Sequence, residues 1–125
     1  MNILIWILQA VLALMFLMAG FMKLLKPKDQ LKKKVGDWVE DFSVVGIKSI
    51  GVLEVLGALG LVLPMAFNIL PVLTIWASLG LTMTMIGAII LHVSRKEYKM
   101  LVTNVVLLLL LSTIAIARWI LVPFS

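Results

Sequence analysis

The sequence predicts an all-α, polytopic membrane protein: a bundle of four transmembrane helices, with a short interfacial helical segment between the first and second spans. Three observations carry this expectation. The 125-residue chain is 63% hydrophobic with a mean hydropathy of +1.19, well above the roughly half-apolar make-up of soluble domains. The excess falls into four long apolar runs separated by short polar stretches, each close to the ~20 residues that cross a hydrocarbon core. Ten of the eleven lysines and arginines lie in just two stretches, residues 23–48 and 95–99, as expected of loops that set membrane orientation. A single integral membrane domain over residues 1–125 accommodates all of this.

The first span covers residues 3–25. Its start, MNILIWILQ, lacks the positive n-region of a secretory signal peptide, and the lysines follow the run; the expectation is an uncleaved helix. Pro27 marks its exit. Asp29 is a candidate cap for a short helix containing Leu31 and the lysines at 32–34, and Gly36 ends it. Trp38 and Phe42 stand four apart, on one helical face, which suits a segment lying in the headgroup layer. The second span covers residues 46–63. Pro64 and Pro71 bracket an uncharged turn, MAFNIL, before the third span at residues 72–91. A basic turn follows, then the fourth span at residues 100–122, closed by Pro123.

The loops after the first and third spans lie on one side and carry the ten basic residues. The other side holds the N-terminus, an uncharged loop and Arg118. The positive-inside rule then predicts a multi-pass protein of the plasma (inner) membrane, with both termini on the non-cytoplasmic side. The net charge of +5 is thereby read as topology and affinity for membrane lipids rather than for nucleic acid. The chain has no cysteine, so disulfides, thiolate nucleophiles and thiolate metal sites are excluded for this chain alone.

Glu54 is the organising residue. At 1.5 Å per residue it stands about 12 Å beyond Gly46 and about 15 Å short of Pro64, near the centre of its span, where an acidic group costs roughly 2.5–3.5 kcal/mol to insert. Helical spacing gives each span one stripe of small and polar residues. These are Gln9, Ala13, Phe16, Gly20 and Lys23; Gly51, Glu54, Gly57 and Ala58; Gly80, Thr84, Ala88 and His92; and Asn104, Leu108, Leu111, Ala115 and Arg118. Small residues let helices approach in lipid and polar ones find partners across the gap, so the stripes are expected to face inward. The candidate partners of Glu54 are Lys23 or His92 from one side and Arg118 from the other. Glu54 reads either as a structural ion-pair partner that fixes helix register or as a functional group, a proton carrier or the anchor of a polar ligand. Lys23 and Arg118 read also as headgroup anchors, His92 as a helix-terminal cation and Asn104 as an interhelical hydrogen-bond donor. One histidine without a second His or a Cys is a poor metal site. Met15, Met18 and Met22 read as packing, so no metal is assigned.

AGFMKL at residues 19–24, LEVLGALGLVLP at 53–64 and GAIILH at 87–92 resemble the AGxxKL, LExxGAxxLxxP and third-span segments of the DoxX-like membrane proteins, with Asn104 where the fourth span of that family carries a polar residue. The resemblance implies a small four-helix membrane fold. It also implies association of some members with redox complexes, one being a subunit of a thiosulfate:quinone oxidoreductase, and of distant relatives with receptor assembly. On this footing the chain is expected to be an accessory or ligand-binding subunit without independent catalysis. A quinone- or lipid-type molecule is its expected ligand, in a polar cluster of Glu54, Lys23, His92 and Asn104, with Gln9 and Arg118 nearer the outer surface. No cofactor is fixed by the residues; an enzymatic role would be that of a quinone-linked oxidoreductase subunit. A small proton-coupled transporter and a membrane assembly factor are the alternatives. Four short helices bury little between them, so a homo-oligomer or a larger membrane complex is also expected.

Overall fold

The computed structural model describes residues 2–121, all-α throughout. Helix α1 spans Asn2–Leu25, α2 Lys28–Val35, α3 Val44–Ala66, α4 Leu73–Ser94 and α5 Tyr98–Ile116; a 3₁₀ turn at Asp37–Asp41 precedes α3 and a π turn at Ala117–Leu121 continues α5. Four of the helices are long and apolar enough to cross a membrane. Val122 and Pro123, expected to close the fourth span, lie outside the described residues.

The helix ends follow from local chemistry. Ser43 caps α3, its hydroxyl accepting from the Gly46 amide at 3.0 Å, because the first-turn N–H groups have no partner within the helix. Asp29, expected as the cap of α2, sits instead in its first turn; Pro27 precedes the helix and its carbonyl takes the Gln30 and Leu31 amides, each at 3.1 Å. Gly36, at φ +115°, closes α2 in a conformation that suits glycine.

Helix α3 does not stop at Pro64 as expected; it runs one turn further. Asn68 then adopts a left-handed conformation (φ +52°), and the Ile69 amide returns to the Pro64 carbonyl at 2.9 Å, the 6→1 bond of a Schellman cap. Pro64 lacks the amide that would bond four residues back and its ring crowds that carbonyl, and the helix ends within a turn of it. Lys96 (φ +58°) ends α4 in the same manner, with the Glu97 amide on the His92 carbonyl at 2.9 Å.

In packing order, α1 lies against α3, α3 against α4, and α4 against α5, while α1 and α5 touch more sparingly. The central core joins Leu12 and Phe16 of α1, Ala58 and Leu61 of α3, Leu81 and Met85 of α4, and Leu111 and Ile114 of α5. Bulky aliphatic residues such as Leu4, Met18, Met83 and Leu109 point outward, the arrangement expected where the solvent is acyl chain rather than water. A smaller core of Leu31, Trp38, Val39 and Ile47 pins α2 and the 3₁₀ turn beneath the basic end of the bundle. Trp38 and Phe42 meet edge-on at 5.6 Å. Trp38 itself is buried rather than lying open to the headgroup layer.

The inward stripes of α1, α3 and α5 are largely as the spacing indicates. Gln9, Phe16, Gly20 and Lys23 are buried on α1, Gly51, Glu54 and Ala58 on α3, and Leu111, Ala115 and Arg118 at the end of the fourth span. Helix α4 differs. Gly80 is exposed and Thr84 and Ala88 are half-buried; the face turned inward is Thr74, Ser78, Leu81, Met85 and His92. The Thr84 hydroxyl donates to the Gly80 carbonyl of its own helix at 3.1 Å, so it needs no partner across the bundle. Ser78 instead bridges to α5, donating to the Leu111 carbonyl.

Candidate functional site

Most buried polar side chains of the bundle fall into three clusters, one between its middle and the basic end and one at each end; Thr74 and Ser78 lie outside them. The middle one is the pair of Lys23 and Glu54. Lys23 Nζ lies 2.6 Å from Glu54 Oε1, with the side chains only 9% and 5% exposed. At this distance the contact is a close ion pair. Glycine makes the approach possible. A Cβ on Gly20 would stand 2.8 Å from the Gly51 carbonyl oxygen, and a Cβ on Gly51 equally 2.8 Å from the Gly20 carbonyl oxygen. The two backbones therefore touch one turn from the pair, which brings a lysine near the end of α1 within reach of a carboxylate about 15 Å into α3.

The second cluster lies at the end opposite the basic loops. Arg118 is fully buried. Its Nε donates to Gln9 Oε1 at 2.6 Å and its NH1 to Asn2 Oδ1 at 2.7 Å, and its guanidinium stands 5.4 Å from the Trp6 ring centroid. Gln9 in turn donates to the Leu61 carbonyl at 2.5 Å. One glutamine thus ties α1, α3 and the π turn together, using its acceptor for the guanidinium and its donor for the backbone. Beside Arg118 opens a hollow of about 270 Å³, walled by Val72, Ile75, Trp76, Leu79 and Trp119. Its walls are apolar apart from the arginine.

The third cluster lies at the basic end. The Schellman cap of α4 folds Glu97 back over His92, and His92 Nδ1 lies 2.9 Å from Glu97 Oε1. A carboxylate can only accept, so Nδ1 carries the proton. Arg95 Nε shares the same oxygen at 3.1 Å, and Arg95 NH1 reaches Asp41 Oδ2 at 2.6 Å. The Trp38 ring packs edge-on against His92 at 6.4 Å. This network clasps the 3₁₀ turn to the α4–α5 loop. The hydrogen bond that Arg95 donates to Asp41 holds the guanidinium above its ordinary pKa. Nearby, Lys32 does the reverse to Glu40, drawing its carboxyl below the ordinary value through a 2.6 Å contact.

Of the residues singled out from sequence, Lys23 and Glu54 therefore meet, and Gln9 and Arg118 meet. His92 pairs with Glu97 and not with Glu54. Arg118 likewise belongs to the far end rather than to the carboxylate. Asn104 is half-buried on α5 and takes no part in the hydrogen bonds that define the three clusters. Sequence reasoning missed Asn2, Trp6, Ser78, Asp41 and Glu97 as partners. Only Glu97 left a usable signal: a carboxylate directly after a lysine able to take up the left-handed cap position. Among the described residues no group of three His, Asp or Glu side chains is placed to hold a metal ion.

A model of the DoxX-like family matches residues 7–114 of the chain. No curated protein matches it, and no solved structure does.

Proposed function

The chain belongs to the DoxX-like family, and from that premise we propose that it is an accessory membrane subunit that holds a quinone- or lipid-type molecule. Its place is the plasma (inner) membrane, in association with a redox complex. The two basic loops face the cytoplasm and both termini the other side, as the distribution of lysine and arginine directs. The observation that supports a ligand-holding role is the hollow beside Arg118. Ligand sites are concave, mostly apolar, and carry a few fixed polar groups that orient the guest. Here two tryptophans and three aliphatic residues supply the walls, and Arg118, braced by Gln9 and Asn2, borders them with its positive charge. A quinone carbonyl or a lipid ester oxygen is drawn toward that charge while the ring or acyl chain lies against Trp76 and Trp119. The Lys23–Glu54 pair is closed and serves the architecture. It fixes α1 against α3 and so holds Gln9 where it braces Arg118.

Filling the hollow tests this directly. In the Leu79→Trp variant, binding of a short-chain benzoquinone or of a fluorescent phospholipid to the reconstituted protein is expected to weaken by about tenfold or more, equivalent to about 1.4 kcal/mol. The thermal midpoint should stay unchanged, because Leu79 sits at the lipid-facing rim. Equal binding by the parent and the filled variant would remove the hollow as the ligand site.

A further inference from the structure

The basic end of the bundle carries a feature independent of the Arg118 hollow. Where α1 ends and α3 begins, Lys23, Lys26, Lys28 and Lys48 converge on one notch, with Leu31 and Ile47 in its wall. Its lining contains no carboxylate. The acids around it are engaged: Glu54 with the notch's own Lys23, Glu40 with Lys32, Asp41 with Arg95, and Glu97 with His92 and Arg95. Asp29 and Asp37 bear on Lys32. Among the described residues, no carboxylate lies within ion-pair distance of Lys26, Lys28 or Lys48.

Two of these lysines are held in place by the backbone. Lys28 Nζ donates to the Phe42 carbonyl at 2.7 Å and Lys48 Nζ to the Leu24 carbonyl at 2.7 Å. An ammonium has three donors, so each keeps two for another acceptor. The Lys34 side chain lies against Lys26 and pushes its ammonium below the ordinary lysine value, the mark of positive charges crowded without a counter-charge. Helix α1, 24 residues long, extends about 36 Å against a hydrocarbon core of about 30 Å. Its end therefore reaches the layer in which lipid phosphates lie. The notch itself holds only about 10 Å³, room for roughly one oxygen-sized atom. An oxyanion would insert a single oxygen and leave its remaining substituents outside.

We propose that this notch is a seat for a phosphate oxyanion, one oxygen taken between Lys26, Lys28 and Lys48, with an anionic phospholipid headgroup or free phosphate as its source. The seat lies at the end of the bundle opposite the Arg118 hollow, and nothing in it depends on what that hollow holds. Each lysine near the surface strengthens the attraction of an anionic headgroup. Because the Lys28 and Lys48 donors are already oriented, less freedom is lost on binding than at a flexible lysine cluster.

The test uses the full-length protein in nanodiscs of phosphatidylcholine doped with phosphatidylglycerol, with retained lipid read by native mass spectrometry. A Lys26→Gln/Lys28→Gln/Lys48→Gln variant is compared with a Lys33→Gln/Lys96→Gln/Lys99→Gln variant of the same charge change. The parent and the latter variant are expected to retain phosphatidylglycerol over phosphatidylcholine, and the notch variant to lose about tenfold of that preference. Inorganic phosphate is titrated separately. Binding that needs the same three lysines and displaces the lipid assigns the seat to the soluble anion. Absence of such binding assigns it to the headgroup. Lys26→Gln alone, which breaks no backbone contact, guards against a folding defect and should lose about threefold. Equal losses in the two triple variants, or equal retention of the zwitterionic and anionic lipids by the parent, would overturn the proposal.

Discussion

A Lys23→Met variant is expected to be less stable than the parent by about 3–5 kcal/mol, the range for breaking a buried ion pair by removing one partner. The substitution leaves Glu54, 4% exposed, as an uncompensated carboxylate about 15 Å along α3 from its start. No other basic group can replace the lost one: His92 is committed to Glu97 and Arg118 to Gln9 and Asn2. The converse variant, Glu54→Leu, should be milder, at about 1–2 kcal/mol. Lys23 stands two residues from the end of α1, so its freed ammonium can snorkel to the headgroup layer, an escape closed to the carboxylate. The Lys23→Met/Glu54→Leu double variant should return to within about 1–2 kcal/mol of the parent, because no buried charge remains. Reversible unfolding in bicelles measures all three. Equal single costs would remove the snorkelling escape assigned to Lys23, and a double variant that merely sums the single costs would show that the two groups do not depend on each other.

The second large effect is steric. Gly51→Ala puts a methyl 2.8 Å from the Gly20 carbonyl oxygen and 3.1 Å from both Leu24 Cγ and Lys23 Cβ. The closest atom is backbone, so no side-chain rotation relieves the clash and α1 must move off α3. Overpacking of this kind costs about 1–3 kcal/mol, and the ion pair one turn away lengthens with it. Gly80→Ala is the matched comparison. A Cβ there meets nothing within 4 Å, and alanine is the better helix former by up to about 1 kcal/mol. The expected outcome is destabilisation for Gly51→Ala and no loss for Gly80→Ala, read from the same unfolding transition. Similar behaviour of the two variants would mean that the α1–α3 approach is looser than the glycine contact implies.

The contrast between those glycines also shows what the sequence made legible. Hydropathy alone marked four spans, because length and apolar content are set by bilayer thickness and need no tertiary context. The stripes of α1 and α3 were legible because each contains a charge that must be sheltered, and the charge fixes which face turns inward. The stripe of α4 was misread because its small and hydroxylated residues carry no such demand: Thr84 satisfies itself within its own turn, and Gly80 faces out. The choice among Lys23, His92 and Arg118 as the partner of Glu54 was not legible either. It rests on the Gly20–Gly51 contact, which sets the register of two antiparallel helices, and on the cap that turns Glu97 onto His92. Both are products of chain geometry that spacing along one helix does not contain. The Arg118 hollow was equally hidden, since its walls come from the start of α4 and the π turn, 40 or so residues apart in the chain.

The ion pair itself offers the most direct test. In protein reconstituted in bilayers, with ¹⁵N at Lys23 Nζ and ¹³C at Glu54 Cδ, solid-state NMR dipolar recoupling reports their separation. An N–O distance of 2.6 Å requires a strong coupling, corresponding to a separation of about 4 Å or less. A coupling too weak to detect, placing the two atoms beyond about 6 Å, where opposite charges no longer act as a close pair, would contradict the account at its centre.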